Sequence, residues 1–124
     1  KWLAYTSNES GTPQVYVCRL EPNGARWPVS PRGGSEPRWI STGELFYRRG
    51  DSVMVTRVTL GQEPSFSEPT FVFSGRYAAG PFEPLWDVAP DGQSFAMVRA
   101  ASGLNRPKTV LMLNWIESWR AKGN

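Results

Sequence analysis

Apolar residues in this chain fall in short runs, broken every few residues by Gly, Pro, Asn, Asp or Ser. Gln14-Val15-Tyr16-Val17-Cys18-Arg19-Leu20, Ser52-Val53-Met54-Val55-Thr56-Arg57-Val58 and Thr109-Val110-Leu111-Met112-Leu113 are typical. They are rich in β-branched and aromatic residues and bounded by turn formers, which is the pattern of strands. Strands are predicted at roughly 2–6, 14–20, 27–30, 36–40, 45–48, 52–59, 70–74, 85–89, 94–99 and 109–113. Asn8 to Pro13 and Arg49-Gly50-Asp51 read as hairpin connections. Pro28, Pro31 and Pro69 flank two of the strands and suit outer positions, where a missing N–H costs no ladder bond. The end of the chain differs. Asn114 and Glu117 resemble a capping box, and Trp115 and Trp119 share a helical face beside Ile116. A short helix over 115–122, docking its Trp face on the sheets, is expected there.

The pattern repeats. Glu36-Pro37-Arg38-Trp39 recurs as Glu83-Pro84-Leu85-Trp86, 47 residues on. Each copy follows a Gly-containing loop and leads to a Gly turn, Gly43 in one and Asp91-Gly92 in the other, and then to an apolar strand. A four-stranded unit repeating every about 40–50 residues is the pattern of a β-propeller blade. The chain therefore reads as one all-β domain, a partial β-propeller of about three antiparallel blades, with units at roughly 1–34, 35–80 and 81–113 and the helix in 114–124. The first unit lacks its inner strand and the third its outer one. A lone four-stranded sheet cannot cover both its faces, whereas stacked blades bury one another. Six Trp, four Tyr and six Phe can fill the wedges between them. Trp39 and Trp86 then read as inter-blade packing residues, and Gly43, Asp91 and Gly92 as the turns of the repeat.

Composition narrows the chemistry. A chain of 124 residues is one domain's worth, and 40% hydrophobic with 20% charged residues permits an ordinary core. There is no His and one Cys. That excludes a Ser-His-Asp triad, a Cys-His dyad, a His-ligated metal and an intrachain disulfide. No cofactor or metal is expected. Cys18, inside a strand pattern, reads as a packed residue. No apolar run is long enough to insert in a membrane. The net charge of +3 comes mostly from Arg, scattered along the chain with only Arg48-Arg49 adjacent. Scattered Arg reads as solvated surface; a nucleic-acid binder concentrates its charge. Arg49-Gly50-Asp51 matches an adhesion tripeptide but reads as a hairpin turn, and Asn8-Glu9-Ser10 matches a common glycosylation pattern. The strand-like start, without an initiator Met, suggests a trimmed chain or part of a longer one.

Val88-Ala89-Pro90-Asp91-Gly92-Gln93-Ser94-Phe95 resembles the Ser-Pro-Asp-Gly turn of the TolB-like propeller repeat of bacteria, with Ala89 in place of Ser. Trp39-Ile40-Ser41-Thr42-Gly43 is a shortened version with Thr42 in place of Asp. Trp2 to Gly11, Val15-Tyr16-Val17, Glu36 to Trp39, Leu45 to Arg48 and Leu113-Asn114-Trp115 are similar to the C-terminal propellers of bacterial serine/threonine protein kinases. The resemblance implies a sensing or protein-interaction propeller. It implies no kinase catalysis, because the Gly-rich loop, catalytic loop and metal-binding Asp motifs are missing. It also implies a periplasmic or extracytoplasmic location, with a cytoplasmic one left open.

Three units make roughly half of a six-bladed ring. Two chains could pair as a homodimer to complete it, a longer parent could supply the rest, or three sheets could close under the Trp115/Trp119 helix. The favoured function is a non-catalytic module that binds a protein or peptide partner. Repeat geometry puts Glu36, Arg38, Glu83, Asp87 and Arg76-Tyr77 around a central funnel. The alternative is a fragment of a propeller-containing hydrolase, either a peptidase-gating propeller or a glycosidase. The glycosidase reading has Arg38, Arg76, Tyr77, Glu36, Glu83 and Asp87 as suitable residue types but lacks the sialidase Ser-x-Asp-x-Gly-x-x-Trp box.

Overall fold

The computed structural model describes residues 1–78, 85–100 and 107–113. The helix expected over 115–122 and the rim residue Glu83 lie outside the described residues. The described chain is all strand and turn. In order, the strands are β1 (Trp2–Ser7), β2 (Gln14–Arg19), β3 (Arg26–Pro28), β4 (Ser35–Trp39), β5 (Glu44–Arg49), β6 (Ser52–Thr59), β7 (Ser65–Phe66), β8 (Thr70–Ser74), β9 (Trp86–Val88), β10 (Ser94–Ala100) and β11 (Pro107–Leu113). They form three antiparallel sheets, none of them closed on itself. The first is β1-β2-β3, and the third runs β9-β10-β11 in sequence order. The second runs β4-β5-β6, with both β7 and β8 paired to β6.

Ten strands match the sequence expectation to within a residue or two, and β7 is an addition. β6 is eight residues long, and two short outer strands share its edge. β8 pairs residues 52–55 and β7 pairs residues 58–59. Between them Ser67 caps the gap. Its carbonyl accepts from the Thr56 hydroxyl at 2.6 Å, and its own hydroxyl accepts from Arg57 N at 2.8 Å. An eight-residue outer run would have shown as a sequence pattern; a two-residue strand between prolines does not.

Side chains alternate across a strand, and this splits the core in two. On one side of the second sheet, Leu45, Tyr47, Met54 and Val58 meet Val15, Val17 and Val29 of the first sheet's side. On the other side, Ile40, Phe46, Val53, Val55 and Phe73 meet Trp86, Val88, Phe95 and Met97. The second sheet is thus the middle layer of a stack, covered on both faces. The two repeat tryptophans hold equivalent places. Trp39, on β4, is partly buried against the cluster shared with the first sheet, and Trp86, on β9, is buried in the cluster shared with the second. Each sits on the opening strand of its sheet and packs toward the sheet before it.

The two repeat turns also correspond. Ile40 N bonds Glu44 O at 3.1 Å and Gly43 N bonds Ile40 O at 3.1 Å; Ala89 N bonds Ser94 O at 2.9 Å and Gly92 N bonds Ala89 O at 2.8 Å. Gly43 and Gly92 both have positive φ, 94° and 70°, a conformation that costs glycine little. In the longer turn Asp91 Oδ1 accepts from Gln93 N at 3.0 Å. In the shorter one Thr42 occupies that place and its hydroxyl bonds the Glu44 carboxylate instead.

Candidate functional site

The expected rim gathers where β4 lies beside β9. Arg38 Nε donates to Trp86 O at 3.2 Å and stands 3.7 Å from Asp87 Oδ1. Both side chains of this pair are solvent-facing, Asp87 the more so. An exposed pair of this kind contributes little to stability and is free to exchange partners.

Glu36 is placed differently. It sits in the irregular stretch of β4 where the register with β5 shifts between Ser35 and Arg38, and its φ is 53°. That is an uncommon conformation for a side chain other than Gly, and more so before Pro37. Four contacts hold it there. Glu36 N donates to Thr6 Oγ1 at 3.1 Å, its carbonyl accepts from Trp86 Nε1 at 3.1 Å, its Oε1 accepts from Leu85 N at 3.2 Å, and its Oε2 lies 3.6 Å from Arg48 Nη1. The side chains of Glu36 and Arg48 are only 8% and 3% exposed. Glu36 therefore ties all three sheets together from inside rather than facing a ligand.

Arg48 completes this staple. Its guanidinium donates to the carbonyls of Tyr77, at 2.9 Å, and Ala78, fixing the chain that leaves β8. Its Nε is buried with no hydrogen-bond partner among the described residues. Tyr77 packs edge-on to Phe73 at 6.1 Å and joins the second core, while Arg76 next to it is exposed. Of the expected rim, then, Arg38 and Asp87 come together at the surface. Glu36 is drawn into the interior, Tyr77 is partly buried against the second core, and Arg76 stands in solvent.

A second location was not marked by the repeat. Two adjoining cavities, about 330 Å³ and about 260 Å³, open where the loop before β4 meets the β5–β6 hairpin. Arg32 and Arg49 line both. Among the described residues neither side chain has an ion-pair or hydrogen-bond partner. The smaller cavity has an apolar side made of Pro31, Met54, Pro69 and Phe71, with Tyr47 and Glu68 as its other polar members. Burial pushes the Tyr47 hydroxyl above its ordinary value; Glu68 adds to the rise and Arg49 opposes it. Gly34 is required here. A Cβ at that position would lie 2.7 Å from Tyr47 Cδ2, so the loop can close over the ring only without a side chain. The sequence signal for this site was the Arg48-Arg49 doublet at a hairpin. Strand alternation sends the first inward and leaves the second beside the cavities.

Comparison with family models, curated proteins and solved structures finds no match to this chain. Among the described residues no group of His, Cys, Asp and Glu is arranged to hold a metal ion. No helix among them is long and apolar enough to cross a membrane.

Proposed function

We propose that the chain is a non-catalytic binding module of the propeller type, similar to the TolB-like repeat, and that two copies pair to complete a ring. The observation that carries this reading is the equivalence of Trp39 and Trp86, each packed from the opening strand of its sheet toward the preceding sheet. A stacking rule that repeats can be continued by a further sheet. The first sheet offers a face for one. On the side away from the second sheet Leu3 is 44% exposed and Tyr5 stacks on Tyr16 at 5.8 Å, while Tyr16 itself is buried, with Arg26 over its ring at 5.7 Å. A further sheet seated here would cover Leu3 and Tyr5, and a two-fold pair would cover them symmetrically. The Arg38–Asp87 pair would then face the centre of the ring, where a protein or peptide partner could take over either charge.

Native mass spectrometry of the purified chain tests the pairing. A mass near twice 13.9 kDa is expected. A folded species that stays at 13.9 kDa at micromolar concentration would contradict it. A Leu3→Glu variant should shift the mass distribution toward the single chain.

A further inference from the structure

We propose that the groove between the loop before β4 and the β5–β6 hairpin binds a peptide carboxyl terminus whose last side chain is apolar. Arg32 and Arg49 line both cavities, and neither guanidinium has an ion-pair or hydrogen-bond partner among the described residues. A guanidinium matches a carboxylate, which accepts two parallel N–H bonds from its fork, and a second guanidinium at the same cavities adds to the attraction. Tyr47 lines the same cavity, and its hydroxyl has no hydrogen-bond partner among the described residues. A phenol is protonated at neutral pH, so this hydroxyl is a donor to the same anion.

The apolar half decides what the anion is attached to. Met54 and Phe71 are paired across β6 and β8 and so share a face of the second sheet. The first sheet covers Met54, but its outer strand β3 is only three residues long. Phe71 is left 51% exposed. Pro31 and Pro69 complete a floor fit for one aliphatic or aromatic side chain. Glu68 lines this half as well. Its carboxylate would repel a doubly charged phosphate more than a singly charged carboxylate, and would accept the backbone N–H that a peptide carries next to its terminal carboxylate. A free anion would use the two Arg and leave the floor empty.

The proposal rests on the reading of the chain as a binding module, but uses a site apart from the Arg38–Asp87 pair. Its test is calorimetric titration of the whole chain with acetyl-Gly-Ala-Leu as free acid, with the same peptide as its C-terminal amide, and with inorganic phosphate. The free acid should bind and the amide should bind about tenfold more weakly or worse, the usual weight of a hydrogen bond to a charged group. Arg32→Gln and Arg49→Gln should each weaken the acid about tenfold, with unchanged circular dichroism, while Arg26→Gln leaves binding as it was. Equal binding of acid and amide, or no binding of either, overturns the proposal. Phosphate binding as tightly as the acid overturns it too, since the apolar floor would then play no part. The acid–amide difference is read on the unaltered chain and does not depend on any variant folding. A 13.9 kDa monomer that distinguishes acid from amide keeps this site and removes the ring. A dimer that does not distinguish them does the reverse.

Discussion

The two faces of the second sheet are buried by different chemistry. Toward the first sheet the fully buried contact is mostly aliphatic, with Val15, Val17, Val29, Leu45, Met54 and Val58 around the ring of Tyr47, and Trp2, Trp39 and Phe66 packed partly buried at its margin. Toward the third sheet it is aromatic. Phe95 lies edge-on to Phe46 at 5.3 Å and to Phe73 at 5.1 Å, and stacks against Trp86 at 6.4 Å. Beside these rings lies the Glu36–Arg48 pair. Valines grip a neighbouring sheet by area alone, and area is tolerant of small slips. Rings in fixed edge-to-face contact, with a buried charge pair beside them, specify one arrangement. The aromatic interface therefore fixes the geometry of the stack. The aliphatic one, with its short β3, leaves room at its rim for the cavities around Arg32 and Arg49.

That difference can be broken at its strongest point first. Arg48→Met removes one member of the buried pair and leaves Glu36 with an uncompensated charge. A loss of about 3–5 kcal/mol is expected, read by urea denaturation. Phe95→Ala should cost a similar 3–5 kcal/mol or so, since it vacates the centre of the aromatic cluster. Val17→Ala, at the corresponding depth of the aliphatic side, should cost only about 2 kcal/mol, two buried carbons and a small cavity. Similar losses at Phe95 and Val17 would erase the proposed asymmetry.

The smallest effect is one of pH. The Tyr47 hydroxyl titrates higher in the folded chain than its ordinary 10.0. Its contribution is fully present below the unfolded value and is lost as pH rises through the folded one, because only the unfolded chain can shed the proton at first. Stability should fall above pH 10 in the parent, and Tyr47→Phe should flatten that fall. An identical alkaline slope in both would place the cause elsewhere.

Much of this architecture was legible in the sequence. Ten strands follow from β-branched runs between turn formers, because local propensity and burial point the same way there. The three-sheet division follows from the E-P-x-W repeat. What was not legible depends on three-dimensional company. Glu36 reads as a rim carboxylate until the register shift on β4 and the bonds from Leu85 and Arg48 draw it inside. Arg48 and Arg49 read as one basic doublet, yet alternation gives one to the core and the other to a groove. β7 is too short to carry a pattern, and Arg32 is one of many scattered arginines until the loop closes over Tyr47.

The central claim is that the second sheet is the middle layer of a stack, covered from both sides. Amide hydrogen exchange on the whole chain, followed by mass spectrometry, reads this directly. Peptides covering β5 and β6 should be the slowest in the molecule, slower than those of β1 to β3. Equal protection of β1–β2 and β5–β6, or faster exchange in β5 and β6, would contradict the stack.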